Sequence, residues 1–402
     1  MSITTDEHES TTTVDPRFRN LISADNHVTE PLTLWDALPP HLRSQAPHLE
    51  VRDGRTCVVV EGRVLTRLPV PKELMSDVRW KEGEEIPSGE LLKKIAESEE
   101  LSQLVSPEAS DPAGRLRDLD RDGVYAEVMF PNQLIFTLFR LTNAELQIAL
   151  CRLYNDWLNE GYSGSPRFIK IAALPMLDID EAIKEMRRCA QRGFRGVLLP
   201  VHPDYLGHRY NHPDYEPFWT AAEALGMPVH FHSGTGREQR PARNPGGAVI
   251  NYVITVGGAD ETVCFLTGSG VLARHPDLKV VMVECGAGWL GWVLGAMDDA
   301  YREHHLMVEP KLELLPSEYF RRQGYVTFQN DPVGLNNLQF TGDQSLMWGC
   351  DYPHLEGTWP DSLRYLQDQM ADVPDESIER IIWGNAAALY GVELPEIGGR
   401  RG

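Results

Sequence analysis

The 402-residue chain is poor in basic charge: 38 Lys and Arg stand against 59 Asp and Glu, a net charge of −21. That balance excludes a nucleic-acid partner, whose phosphates have to be neutralised by Lys and Arg. Cysteine is sparse as well. The six present (Cys57, Cys151, Cys189, Cys264, Cys285, Cys350) are widely spread and form no C-x-x-C pair. They fit a reducing cytoplasm, where thiols behave as small apolar residues. No run approaches the roughly 18–20 apolar residues that cross a bilayer, so no membrane partner is expected. No G-x-G-x-x-G opens a helical stretch. Residues 1–20 are polar and Thr-rich, lack the apolar core of a secretion signal, and read as a disordered lead-in.

What the chain does have is a rhythm. Short apolar runs recur: "LISAD" (21–25), "YAEVMF" (125–130), "FIKIAAL" (168–174), "GVLLP" (196–200), "MPVHFH" (227–232), "KVVMVE" (279–284), "YVTFQ" (325–329) and "SLMWGCD" (345–351). Stretches with apolar residues at helical spacing lie between them, over 143–162, 180–193, 215–226 and 288–305. Eight such units predict an α/β fold, a (β/α)8 TIM barrel over residues 21–392 with a short tail, 393–402. A doubly wound open sheet is the rival, and it lacks its glycine fingerprint. An insertion after the first strand, about residues 50–112, begins with "VRDGRTCVVVEGRVLTRL". Turns at Asp53-Gly54 and Glu61-Gly62 mark short strands there, a charged stretch (81–111) follows, and the insertion should cover one side of the barrel mouth.

In such a barrel the chemistry sits at the C-terminal ends of the strands. The first strand ends with Asp25 and His27, which share a face because residues two apart on a strand point the same way. His230 and His232 do the same on strand 5. Glu284 ends strand 6, Asp351 ends strand 8 with His354 just beyond, and His202 follows strand 4. Taken singly, each has an ordinary structural explanation. Together, two carboxylates and two imidazoles at one mouth would leave buried charge that a divalent cation neutralises. The loop after strand 5 carries Arg237, Arg240 and Arg243, and arginine grips a substrate carboxylate through two parallel hydrogen bonds.

The stretches "ISADNHVTEP", "RLRDLDRDGVYAEVMFP", "YNDWLNEGY", "HPDLKVVMVECGAGWLGW", "WGCDYPH" and "GNAAALYG" resemble the amidohydrolase-2 branch of the metal-dependent hydrolases. That group contains aminocarboxymuconate semialdehyde decarboxylase and the benzoate-type decarboxylases. The resemblance implies one metal held by Asp25, His27, His232 and Asp351, with Asp351 also moving protons. Zinc is the first expectation because of the imidazoles, with manganese or iron as alternatives that suit carboxylates. It also implies a homodimer. Two departures stand out: Asp25 replaces the first His of an H-x-H start, and Glu284 occupies strand 6 where the family's decarboxylases carry a His. On that ground hydrolysis of a small carboxylate-bearing or aromatic-derived substrate by a metal-activated water is placed first. Non-oxidative decarboxylation of an aromatic or dienoic acid is the alternative, and an inactive small-molecule-binding barrel comes third. The expected catalytic residues are Asp351, Glu284 and His230; the expected substrate contacts are Arg237, Arg240, His202 and His354.

Overall fold

The computed structural model describes residues 15–52, 55–67, 111–202, 207–236, 245–255, 257–354 and 356–395. All eight expected strands are present: Leu21–Val28, Val124–Pro131, a third in two pieces (Phe168–Lys170 and Ala172–Ala173), Val197–Pro200, Val229–His232, Val280–Val283, Gly324–Phe328 and Leu346–Trp348. Each pairs in parallel with the next in sequence. The third strand changes partner at Ile171, its first piece pairing with strand 2 and its second with strand 4. The ring closes between strand 8 and strand 1, where Asp351 N donates to Asp25 O (2.7 Å) and His27 N to Tyr352 O (2.7 Å), with Asn26 and Tyr352 bridged in parallel. Every residue of strand 1 is buried, as strands covered on both faces must be.

Local chemistry starts the helices where the sequence says. Asp111 accepts from Gly114 N (2.6 Å) ahead of the Pro112–Asp122 helix, and Asn143 accepts from Leu146 N (3.2 Å) ahead of Ala144–Tyr162. Asp178 accepts from Glu181 N (3.0 Å) ahead of Ile179–Gln191. Each side chain satisfies an amide that the first helical turn leaves unpaired. Helices Glu216–Leu225 and Leu290–Glu303 also stand where the spacing placed them.

The insertion opens as a three-stranded antiparallel sheet, His48–Arg52, Arg55–Val60 and Arg63–Arg67. Its second turn has Glu61 and Gly62 both at positive φ (49° and 71°), the geometry that suits a tight hairpin. Glu61 accepts from Thr142 N (2.9 Å) and Asn143 N (2.7 Å), which sets this sheet beside the loop following strand 2. The Asp53-Gly54 turn, the charged stretch before residue 111 and most of the lead-in lie outside the described residues. Within the lead-in, Phe18 is buried in the core, so order begins before residue 21.

Val249–Gly268 is long and apolar enough to cross a membrane by length and composition only. It contains two helices, Gly247–Thr255 and Ala259–Gly268. The second carries Asp260 and Glu261 in its first turn and buries Val263 and Leu266 in the barrel core.

Candidate metal centre

The barrel brings the expected ligands to one end. His27 Nε2 lies 3.4 Å from Asp351 Oδ1 and 3.9 Å from Asp25 Oδ1, and His232 Nε2 lies 3.4 Å from Asp25 Oδ1. These four side chains are at most 2% exposed. Each histidine is oriented through its other nitrogen: His27 Nδ1 lies 3.0 Å from Pro131 O, and His232 Nδ1 3.1 Å from Ser233 O. A backbone carbonyl only accepts, so in both rings Nδ1 carries the proton and Nε2 presents a lone pair to the cluster.

Six buried atoms of this cluster make no hydrogen bond: both carboxylate oxygens of Asp25 and of Asp351, and Nε2 of His27 and His232. Folded proteins seldom leave such atoms unsatisfied. The arrangement costs little only when something positive sits among them. Asp25, His27 and His232 bring one ligand atom each within 4.8 Å of one another, and His27 belongs also to a second such group with Asp351 and His354. The separations of 3.4–3.9 Å suit donors shared by a divalent cation. The donor set therefore fits a divalent ion.

Access of strand 8 to strand 1 depends on a missing side chain. A Cβ on Gly349 would lie 2.6 Å from Asp25 Cβ. Asp351 itself sits at φ 61° and Glu284 at φ 55°, a left-handed conformation that costs non-glycine residues energy and recurs at functional sites.

The other expected residues divide. His354 joins the cluster: its Nδ1 is 2.9 Å from Asp351 Oδ1, its ring stacks on His27 at 4.1 Å, and its Nε2 lies 3.2 Å from Asn132 Oδ1. Burial pushes this imidazole down, but the facing Asp351 carboxylate outweighs it and raises the pKa to about 9. Burial pushes the Asp351 carboxyl up, yet His354 and His27 hold it below the usual carboxylate range. Glu284 stands on the rim, accepting from Ser233 Oγ (2.5 Å) and 3.5 Å from His232 Nδ1. Burial and the Asp351 charge lift its carboxyl to about 8, so near neutrality it carries a proton a large part of the time.

His230 is not brought to the cluster. Its Nδ1 meets Val197 O (3.1 Å) and its Nε2 meets Tyr390 Oη (2.9 Å). Burial drops its pKa to about 3, so the ring is neutral, and the geometry gives it a packing role. Its room comes from Gly196, where a Cβ would lie 2.3 Å from His230 Cε1. His202 stands after strand 4 with its ring against Gly258 (φ 108°). Arg237, Arg240 and Arg243 lie outside the described residues. Asn132 is the contributor that sequence reasoning missed: a lone Asn after "MFP" carries no signal, yet it orients His354.

Residues 68–392 match the amidohydrolase family. The chain belongs to that family. Among characterised relatives, this amidohydrolase is 34% identical over 235 residues to the gamma-resorcylate decarboxylase of Rhodococcus jostii, covering 52% of this chain and 68% of that one. It is 25% identical over 293 residues to the 2-amino-3-carboxymuconate-6-semialdehyde decarboxylase of Dictyostelium discoideum, covering 70% and 77%. Its fold matches an amidohydrolase from Mycobacterium avium subsp. paratuberculosis with a TM-score of 0.72 at 20% identity, over 93% of this chain and all of that one. It also matches a dihydroxybenzoic acid decarboxylase from Polaromonas sp. JS666, crystallised with manganese and 2-nitroresorcinol, at 0.59 and 19% identity over 93% and 97%. The (β/α)8 expectation stands.

Proposed function

We propose that this amidohydrolase is a metal-dependent, non-oxidative decarboxylase of a hydroxylated aromatic or dienoic acid. The observation that carries the reading is the Asp351–His354 pair, 2.9 Å apart and directly beside the unsatisfied cluster. Decarboxylation needs a proton delivered to carbon, and this pair holds one. Three of the four proteins named above are decarboxylases, whereas the order that put hydrolysis first rested on Glu284 alone.

Asp25, His27, His232 and Asp351 would hold the cation. When bound, it supplies a positive anchor for the substrate's carboxylate and neighbouring hydroxyl, and stabilises the charge that develops there. Manganese is taken ahead of zinc, because two carboxylates in the donor set suit a hard ion and the Polaromonas protein contains it. His27 and His232, fixed by carbonyl contacts, keep their lone pairs inward. His354 donates Nε2–H to Asn132 Oδ1, and its Nδ1–H stands 2.9 Å from Asp351 Oδ1, the charge of the carboxylate keeping the proton on the ring. As the C–C bond breaks heterolytically, the electron pair stays on the ring or diene carbon, CO₂ departs, and the Nδ1 proton of His354 moves to that carbon. Glu284, when protonated, donates to a substrate oxygen at the rim instead of repelling an anion.

The test is product analysis. Metal-loaded protein is incubated with hydroxybenzoates and ring-cleavage acids, and separately with amides and lactones. Release of CO₂ with hydrogen in its place is the expected result; oxygen-18 from water in the product, with no CO₂, would overturn it.

A further inference from the structure

Behind the cluster lies a buried polar relay. Arg115, on the helix after the insertion, and Glu127, on strand 2, are both 0% exposed and paired twice, Nε to Oε1 at 2.5 Å and Nη2 to Oε2 at 2.7 Å. Glu127 Oε2 also accepts from Asn26 Nδ2 at 2.6 Å. Asn26 then spends its oxygen on the last strand: Oδ1 accepts from Tyr352 N (3.0 Å) and from Ser23 Oγ (2.8 Å). Ser23 Oγ in turn accepts from Cys350 N (2.8 Å). The Arg115 guanidinium lies 4.8 Å over the Tyr352 ring.

The position of this relay is what gives it meaning. Asn26 stands between Asp25 and His27, and Tyr352 directly follows Asp351. Strand alternation sends Asn26 away from the cluster while its two neighbours face it. The seam between strands 8 and 1 has no regular ladder, only a single bridge and two backbone bonds, so side chains have to set the separation of the two strands. A buried ion pair is weak evidence for stability, since apolar replacements of the same volume often do as well. Fixing a register is the use such pairs serve best.

We infer that Arg115, Glu127 and Asn26 are positioning residues for the metal ligands: the relay fixes the spacing of Asp25 and His27 against Asp351, and hence cation affinity. This rests on the metal reading of the cluster. Partners behind a first coordination sphere set affinity by about 10–100-fold, and the relay should fall in that range.

The experiment measures Mn²⁺ affinity of chelator-stripped protein by calorimetry, and the visible absorption of the Co²⁺-loaded form as a report on coordination. Asn26→Asp sets two carboxylates 2.6 Å apart and should weaken Mn²⁺ about 10–100-fold with an altered Co²⁺ spectrum. Asn155→Ala, equally buried and bonded to Ala173 and Glu185 on the far side of strand 3, should lower thermal stability and leave both readouts alone. Parent-like Mn²⁺ binding with an unaltered Co²⁺ spectrum in N26D overturns the inference. Should N26D fail to fold, Asn26→Ala takes its place against N155A, and equal effects in the two overturn it. A parent protein that binds no Mn²⁺ overturns the metal reading itself.

Discussion

Two histidine–carboxylate clusters in this protein use the same residue types and end in opposite states. At the mouth, Asp25, His27, His232 and Asp351 present buried atoms with no hydrogen bond. On the barrel's outer layer, His275 puts Nδ1 3.1 Å from Glu223 and Nε2 3.0 Å from Glu216, and Glu216 is held in turn by Arg274. The second cluster has matched every group with a protein partner and has nothing left to offer. The first has been prevented from doing so, by carbonyls that consume the wrong nitrogen of each ring and by a seam that keeps the carboxylates apart. Residue type does not mark a functional site; unused bonding capacity does.

The comparison can be broken or sharpened. The largest effect is expected from His232→Ala, which should lose stoichiometric metal after dialysis, a fall in affinity beyond the ~100-fold that outer-shell changes cause. Metal analysis of H232A beside a His275→Ala variant makes the contrast direct, because H275A should keep full occupancy. Next is Gly349→Ala, whose Cβ would meet Asp25 Cβ at 2.6 Å. Prising the seam open should cost about 1–3 kcal/mol and weaken metal binding together, as read by denaturation and calorimetry on one preparation.

His230 gives a pH test. Its folded pKa is lowered by burial to about 3 from the ordinary 6.5, so below pH 6.5 the unfolded chain takes up the proton more readily. Its contribution to stability is whole above pH 6.5 and is lost as pH falls toward 3, at up to about 1.4 kcal/mol per unit. The difference in unfolding free energy between the parent and His230→Gln, followed from pH 7 to pH 5, should shrink accordingly; a constant difference contradicts a neutral, tied-off ring. The smallest effect is H275A itself, about 1 kcal/mol of stability, since the glutamates it frees are partly exposed and can turn to water.

Strand and helix positions were legible because burial on both faces gives continuous apolar runs and surface helices give a 3.6-residue period. That Asp25 and His27 share a face, as do His230 and His232, was legible from the two-residue rule; which of them serve as ligands came from the family resemblance. Depth was not legible. His230 and His232 share a face, but two residues are about 6–7 Å along a strand, which takes His230 down to where Tyr390 arrives from the last helix. Nothing near residue 230 in the sequence reveals that partner. The Arg115–Glu127 pair was equally hidden: in "RLRDLDRDGVYAEVMF" it reads as two more surface charges, and only the pairing of strands 1 and 2 brings Asn26 against it. Asn132 belongs to the same class, a polar residue whose meaning is wholly tertiary.

The closing seam has a consequence for how the protein comes into being. Asn26 and Tyr352, whose neighbours supply the facing ligands, are 326 residues apart, so Asp25 and His27 emerge from the ribosome long before Asp351 exists. A chain interrupted between His232 and its last strand keeps both imidazoles and lacks the carboxylate that completes the set. Such fragments should hold metal poorly, and completion of synthesis becomes the event that makes the protein competent.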